Sequence, residues 1–238
     1  MTNLKTDLQA SFTAALPIVL GYVAIGVPCG ILCDSIGLNA LQVFAMSVLF
    51  YSGAGQFMIP NMWLAGNPIS AIIASVALVN TRQMLYGASL SQFCGSAGKR
   101  LAFIFGATVT DESFGVNLAR MINGNWSVKH ALLVNLFSLT SWTVSNVAGA
   151  LIGSAISLPT ALASFAMTSL FICLLCMQKV TPANLVAVFG SIAGVIACKC
   201  VSLAGPAILI GALVGVGAAF AFSSVRHDDR NTTMKVGE

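Results

Sequence analysis

The chain has 238 residues, of which 57% are hydrophobic and only 8% are charged, and its mean hydropathy is +0.91. Because so little polar surface cannot cover a soluble globular protein of this size, the composition excludes that class and indicates a polytopic membrane protein. The net charge of +4 is too small for a nucleic-acid-binding surface, and the seven cysteines, an odd number, do not form the pattern of a disulfide framework.

Apolar windows of about twenty residues predict eight membrane-spanning helices. Short segments that contain Gly, Pro or Asn, such as 66–68 and 180–182, separate several of them. We therefore expect an all-α fold with one transmembrane domain over 1–223 and a polar cytoplasmic tail over 224–238. The eight predicted spans are roughly 11–33, 41–64, 69–93, 101–122, 131–153, 159–178, 183–198 and 202–223.

The basic residues near the span ends predict the orientation of the chain. With both termini in the cytoplasm, seven basic residues fall inside and three outside, as the positive-inside rule requires. The inside residues are Lys5, Arg120, Lys129, Lys179, Arg226, Arg230 and Lys235, and the outside residues are Lys99, Arg100 and Lys199.

Two short segments about half a chain apart resemble each other. "GILCDSIGL" follows the first predicted span and "GALIGSAISL" follows the fifth. Many membrane proteins contain internal repeats of this kind, so the similarity suggests a 4+4 repeat.

The first two predicted spans carry residues that weaken a helix at mid-depth. The second contains "YSGAGQF" at 51–57, followed by Pro60. Unwound backbone at this depth is stable only where it faces protein or a water-filled cavity, and it then offers free N–H and C=O groups to a ligand. We expect broken helices here; a close helix crossing through small residues is the alternative. The first span is similarly interrupted by Pro17, Gly26, Pro28 and Gly30, with Tyr22 near its middle.

The third and fourth spans place charges at the same depth. Arg82 lies near the centre of the third span, and Asp111 and Glu112 lie near the centre of the fourth. A charge at the bilayer centre costs roughly 2.5–3.5 kcal/mol, so such residues mark binding sites or ion pathways more often than not. Because consecutive helices are usually neighbours, Arg82 and the acids are expected to meet. An ion pair that only fixes helix packing is the alternative.

Two acids face one arginine in this arrangement. We predict that Asp111 and Glu112 together provide proton coupling. Asp111 is preferred as the partner of Arg82, and Glu112, which then lacks a cation of its own, as the group that exchanges protons. Successive residues of a helix point about 100° apart, so the two acids need not face the same cavity. Polar residues of the fifth span could line this cavity or join helices; they are Asn135, Ser138, Ser141, Ser145 and Asn146.

A cavity with one cation, two acids and loosened backbone is suited to a zwitterion. The ligand carboxylate would meet Arg82 or a helix N-terminus, and its ammonium would meet Asp111 or Glu112. We expect an apolar wall formed by Phe50, Met58, Leu85 and Phe105, so a small apolar amino acid fits best. The predicted binding residues are Tyr22, Tyr51, Ser52, Gly53, Gly55, Gln56, Asn80, Arg82, Tyr86, Asp111 and Glu112.

Four runs, in this order, resemble the AzlC/YgaZ family, the large subunits of bacterial branched-chain amino acid exporters. They are "ALPIVLGYVAIGVPCGIL", "YSGAGQF", "VNTRQMLYGASL" and "TDESFGV", and the resemblance is strong from about residue 14 to 118. The acidic pair matches the family pattern. Gln83 departs from it, because family members usually carry His after the arginine.

The resemblance implies a secondary transporter of the bacterial cytoplasmic (inner) membrane. It implies export of valine, leucine, isoleucine or methionine, coupled to protons by antiport, together with a small hydrophobic partner subunit of the AzlD/YgaH type. No cofactor and no enzymatic activity are expected. Two alternatives stay open: a non-transporting membrane partner of another protein, and an intramembrane enzyme that uses Asp111 and Glu112 as acid and base.

Overall fold

The computed structural model describes residues 4–95, 97–124, 126–155, 165, 168–169, 172, 175–176, 180–200 and 207–235. The regular structure of these residues is entirely helical, which confirms the all-α prediction. The helices are α1 (Leu4–Ser35), α2 (Ala40–Leu49), α3 (Gly53–Leu64), α4 (Ile69–Ser91), α5 (Lys99–Ala107), α6 (Asp111–Ile122), α7 (Val128–Ala155), α8 (Pro182–Cys200) and α9 (Ala207–Lys235).

The chain divides into two compact units. The first comprises residues 1–66 and 79–170, and the second comprises 67–78 and 171–238. Within the first unit, α1 packs along α7, and α2, α3, α5 and α6 pack against one or both of these two long helices. Within the second unit, α8 packs along α9.

Four of the described helices, α1, α4, α7 and α8, are each long and apolar enough to cross a membrane. Two further predicted spans are each occupied by a pair of short helices, α2 with α3 and α5 with α6. The sixth predicted span, 159–178, lies almost wholly outside the described residues. The count of eight spans and the 4+4 repeat therefore stay predictions; the second segment of the repeat also reaches past the described part of α7.

The first predicted span is not broken, and that expectation was wrong. Helix α1 continues through Pro17 and Pro28. Its glycines allow a close crossing with α7: a Cβ atom on Gly30 would lie 1.9 Å from the backbone oxygen of Asn146. Because the two backbones touch, each helix supports the other, and prolines are tolerated in helices that neighbours hold in this way.

The same packing occurs between α8 and α9. A Cβ atom on Gly194 would lie 3.0 Å from the Cα atom of Gly211, and one on Gly215 would lie 1.9 Å from Ser191 Oγ. The small residues of both units therefore bring helices of the same unit together.

Large apolar side chains cover much of the outer surface. Leu20, Leu41 and Val144 are 63%, 75% and 62% exposed. A surface of this kind is typical of helices that face lipid, and it agrees with the membrane location indicated by the composition.

Candidate functional site

The second and the fourth predicted span are each interrupted near the middle by three non-helical residues. Helix α2 ends at Leu49 and α3 begins at Gly53, so the interruption predicted in "YSGAGQF" is present. A second interruption, at residues 108–110 between α5 and α6, was not predicted. A signal for it exists in the sequence: Thr110 followed by two acidic residues is typical of a helix N-terminus.

A hydroxyl group caps the second half-helix at each break. Ser52 Oγ accepts a hydrogen bond from the backbone N–H of Gly55 at 3.1 Å. Thr110 Oγ1 accepts from the N–H of Ser113 at 3.4 Å, and Ser113 Oγ accepts in return from the N–H of Thr110 at 2.9 Å. The caps satisfy N–H groups that begin a helix without a partner, and so they fix where α3 and α6 start.

Side chains from neighbouring helices satisfy carbonyl groups at the breaks. Gln83 Nε2 on α4 donates to the carbonyl oxygen of Tyr51 at 3.3 Å. Asn135 Nδ2 on α7 donates to the carbonyl oxygen of Phe105 at 3.3 Å and to Thr108 Oγ1 at 3.1 Å. Non-helical backbone at membrane depth requires partners of this kind, because lipid offers none.

The charged residues meet beside the second break. Arg82 Nη2 lies 2.7 Å from Asp111 Oδ2, and the two side chains are 29% and 18% exposed. The expected pair of Arg82 with Asp111 is therefore present. The acids are the first two residues of α6, where the positive end of the helix dipole stabilises negative charge.

Glu112 makes a different contact. The hydroxyl of Tyr22, on α1, donates to Glu112 Oε2 at 2.6 Å and also lies 2.9 Å from Thr110 Oγ1. A neutral hydroxyl orients this carboxylate without neutralising it. Its assignment as the proton-exchanging group stays a prediction.

A small enclosed cavity of about 20 Å³ lies between these groups. That volume accommodates one water molecule, which needs about 10–15 Å³, but no amino acid. Arg82 Nε and Asp111 Oδ1 are buried and have no hydrogen-bond partner among the described residues. Buried polar atoms normally have partners, so these two indicate that water or a ligand binds here. The lining residues are Tyr22, Ile25, Gly53, Ala54, Arg82, Gln83, Thr110, Asp111, Glu112 and Trp142.

Five of the predicted binding residues line this cavity. They are Tyr22, Gly53, Arg82, Asp111 and Glu112. Both acids are among them, because the helix begins at Asp111 and its first turn faces the cavity.

The other six predicted residues, Tyr51, Ser52, Gly55, Gln56, Asn80 and Tyr86, are not among the cavity-lining residues. Ser52 Oγ donates to Asn80 Oδ1 at 2.6 Å, which ties the first break to α4. Gly55 leaves space for the ring of Phe50. The Tyr86 ring stacks on Phe114, with 4.5 Å between centroids. We interpret Ser52, Gly55, Asn80 and Tyr86 as support for the breaks. The Tyr51 hydroxyl is instead buried and has no hydrogen-bond partner among the described residues. Direct contact of any of these residues with a ligand stays a prediction.

Gln56 and Trp142 form a buried hydrogen-bonded pair. Trp142 Nε1 donates to Gln56 Oε1, and Gln56 Nε2 donates to Ser47 Oγ at 3.0 Å. The Trp142 ring also meets the Tyr22 ring edge-on, with 5.2 Å between centroids. Trp142 was missed in the sequence, because an apolar residue of a long helix gives no signal of the cavity that it faces.

The residues expected to form an apolar wall do not line this cavity, and their contact with a bound amino acid stays a prediction. None of Phe50, Met58, Leu85 and Phe105 lines the cavity; Leu85 is 66% exposed, whereas Phe105 is buried in a separate core cluster. Ile25, Ala54 and Trp142 line the cavity instead. Hydropathy gives the depth of a residue in the membrane but not the direction in which its side chain points.

Three of the five polar residues that were expected to line the cavity or join helices bond from α7 to other helices, namely Asn135, Ser141 and Ser145, whereas Ser138 and Asn146 donate to carbonyl groups of α7 itself. Ser141 Oγ donates to the carbonyl oxygen of Val19 at 2.9 Å, and Ser145 Oγ donates to that of Tyr22 at 3.0 Å. These bonds hold α1 in register with α7 and so position Tyr22. Across the described part of the chain, no three His, Cys, Asp or Glu side chains cluster as metal ligands do.

Comparison with known proteins identifies the family. The family model described as "AzlC protein" matches residues 17–156. The chain is 31% identical over 180 residues to the branched-chain amino acid transport protein AzlC of Bacillus subtilis, covering 71% of this chain and 68% of that protein. It is 30% identical over 143 residues to the inner membrane protein YgaZ of Escherichia coli, covering 59% of this chain and 58% of that protein.

An uncharacterized membrane protein of Helicobacter pylori is 29% identical over 169 residues, covering 71% of this chain and 74% of that protein. No solved structure matches the chain. The matched region, 17–156, contains both breaks, the charged residues and Trp142. The chain belongs to the AzlC family of membrane proteins.

Proposed function

We propose that this chain is the large subunit of a secondary transporter that exports branched-chain or other small apolar amino acids. The observation that carries the proposal is the enclosed cavity at the two helix breaks, where Arg82, Asp111 and Glu112 meet and where two buried polar atoms have no partner among the described residues. The name of the Bacillus subtilis relative supports the substrate class.

The groups at the cavity complement a zwitterion. Its carboxylate would accept a hydrogen bond from Arg82 Nε, and the N-terminus of α3 at Gly53 would add a favourable dipole. The first turn of α3 contains no acidic residue that would oppose an anion, unlike that of α6. The ammonium would donate to Asp111 Oδ1 and to Glu112. An uncharged ligand would leave both the arginine and the acids without a charged partner, and a purely anionic ligand would leave the acids without one.

Coupling to protons requires one group that binds either a proton or the substrate. Glu112 suits this role, because its contact is the neutral hydroxyl of Tyr22, whereas Asp111 is paired with Arg82. A proton that arrives from outside would neutralise Glu112 and weaken its attraction for the ammonium, which favours release. Competition of this kind couples the two fluxes in both directions.

The cavity must open for an amino acid to enter. At about 20 Å³ it corresponds to a closed state, so transport requires movement around the site. The breaks supply this capacity, since α3 and α6 are each separated from the preceding half-helix by three residues and can rotate as short rigid pieces.

We place the protein in the bacterial cytoplasmic (inner) membrane, with both termini in the cytoplasm and with a small hydrophobic partner subunit. The name of the Escherichia coli relative supports the location. The partner follows from family resemblance alone.

Flux measurements in proteoliposomes test the proposal. The full chain, with and without a co-expressed small hydrophobic subunit from the same genome, is reconstituted in vesicles loaded with labelled leucine. We expect efflux to exceed that of protein-free vesicles and to accelerate when the outside is acidified. Absence of efflux and of leucine counterflow from both preparations would refute the transporter.

A further inference from the structure

We propose that Trp142 limits the size of the amino acid side chain that the transporter accepts, an inference that rests on the proposed function. Trp142 is the largest fully buried side chain in the described residues, and it also lines the cavity. A large residue at a binding cavity reduces the volume that a ligand can occupy.

The ring is directed at the start of α3. A Cβ atom built on Gly53 would lie 3.6 Å from Trp142 Cη2, so the six-membered part of the indole faces the first residue after the break. Gly53, Ala54 and Ile25 form the remaining apolar lining. If the charged residues hold the ammonium and the carboxylate, the aliphatic side chain must contact this apolar group.

The ring is also held rigidly. Its Nε1 donates to Gln56 Oε1, Gln56 is bonded to Ser47, and the rings of Tyr22 and Phe57 pack around it. Because Gln56 lies on α3 and Ser47 on α2, the hydrogen bonds connect Trp142 to both halves of the broken span. A rigid wall discriminates by size, whereas a flexible one adapts to larger ligands.

Trp142→Phe tests this inference by enlarging the apolar part of the site. We expect phenylalanine transport relative to valine transport to rise by about tenfold or more, since tenfold is roughly the lower end of the effect of a size change in an apolar pocket. The measurement is counterflow of labelled valine, leucine and phenylalanine in proteoliposomes.

Trp126→Phe is the matched control. Trp126 Nε1 donates to Asn117 Oδ1 at 3.2 Å, so the variant loses the same ring and the same kind of hydrogen bond, but Trp126 does not line the cavity. We expect this variant to keep the substrate ratios of the unaltered protein. An unchanged ratio in an active Trp142→Phe variant would overturn the inference.

Gly53→Ala decides the question if Trp142→Phe does not fold. The added methyl group makes ordinary van der Waals contact with Trp142, and Ala favours the helical backbone of Gly53, so the variant should be stable. We expect leucine transport to fall relative to alanine transport, and an unchanged ratio would contradict the size limit.

If the unaltered protein transports leucine but both variants keep its ratios, only the Trp142 inference fails; if it transports no amino acid, the proposed function fails with it.

Discussion

At the scale of single residues, two adjacent acids make different contacts and should therefore have different roles. Asp111 is paired with Arg82, whereas Glu112 accepts a hydrogen bond from the Tyr22 hydroxyl. Removing the charge of Asp111 leaves the part-buried guanidinium group of Arg82 without its partner, which is unfavourable. Removing the charge of Glu112 leaves an amide that still accepts from Tyr22. The two substitutions should thus be distinguishable in transport.

We predict that Glu112→Gln abolishes acceleration of leucine efflux by external acid, because no carboxylate is left there for a proton to neutralise. The uncharged amide holds the ammonium as weakly as the protonated carboxyl does, so leucine counterflow should persist but require a higher leucine concentration. Asp111→Asn should reduce both activities by tenfold or more. Efflux and counterflow in the same vesicle preparation measure the two effects.

Asp34→Asn is the control for both variants. Asp34 lies on α1 with its carboxylate next to Gly153 of α7, and it does not line the cavity. Acid-stimulated efflux and leucine counterflow should therefore both persist in this variant. Full acid-stimulated efflux by Glu112→Gln would show that Glu112 is not the coupling group.

The charged pair could be predicted from the sequence, and the apolar lining could not. Charges in a membrane span are costly, so neighbouring spans that carry opposite charges at one depth are expected to pair, as Arg82 and Asp111 do. An apolar residue such as Trp142 or Leu85 has no comparable constraint, since core and lipid are equally apolar. Its direction depends on helix rotation, which only packing determines.

At the scale of the elements, the two breaks depend on hydroxyl caps. We predict that Thr110→Val lowers the apparent melting temperature in detergent by about 2–4 °C, because loss of a cap costs about 1 kcal/mol in a chain of this size. The substitution keeps the shape of the side chain and removes the oxygen that contacts Ser113 N and the Tyr22 hydroxyl.

Thr13→Val is the matched control for the cap. Thr13 Oγ1 donates to the carbonyl of Gln9 within α1, on an exposed surface, and caps no helix. Its melting temperature should stay within about 1 °C of the unaltered protein, since substitutions away from such features have small effects. Equal melting temperatures for the two variants would show that the Thr110 cap does not stabilise the fold.

The crossing of α1 and α7 sets a second requirement at this scale. A Cβ atom on Gly149 would lie 2.1 Å from the backbone oxygen of Val27, and backbone cannot move aside as a side chain can. We predict that Gly149→Ala separates the helices and removes most of the folded protein from the monodisperse peak in size-exclusion chromatography. Overpacking typically costs about 1–3 kcal/mol, and contact with backbone belongs to the upper end of that range.

Gly21→Ala is the control for the crossing. Gly21 also lies within α1, but apart from the adjoining residues and backbone of its own helix no described atom lies within 4 Å of the position that an added methyl group would occupy, so this variant should fold at least as well as the unaltered protein. Equal yields of the two alanine variants would mean that the close contact of α1 with α7 is not required.

The glycines of α1 show why one break was expected in the wrong place. Gly and Pro weaken an isolated helix, but in membranes Gly also permits close packing, and the sequence of α1 does not separate these roles. At the fourth span the unwound residues 108–110 include neither Gly nor Pro. Here the polar residues favour the start of a new helix over continuation of α5, because Thr110 caps the N-terminus of α6 and the two acids interact favourably with its dipole.

At the scale of the whole molecule, hydropathy predicts the long helices for a simple physical reason. Lipid cannot satisfy backbone polar groups, so an apolar stretch of sufficient length must be helical. The described helices α1, α4, α7 and α8 follow this rule closely. A broken pair such as α5 with α6 has the same hydropathy whether it crosses the membrane or returns to the side from which it started.

Topology fusions separate these two cases for α5 and α6. The orientation inferred from the basic residues places the segment before α5, with Lys99 and Arg100, outside and the segment after α6 inside. We predict that alkaline phosphatase fused after Ala97 is active and that a fusion after Gly124 is inactive, with the reverse pattern for green fluorescent protein. The comparison tests a crossing because the two fusion points flank one broken pair. Active phosphatase at both points would make the pair re-entrant and invert the orientation of every later helix.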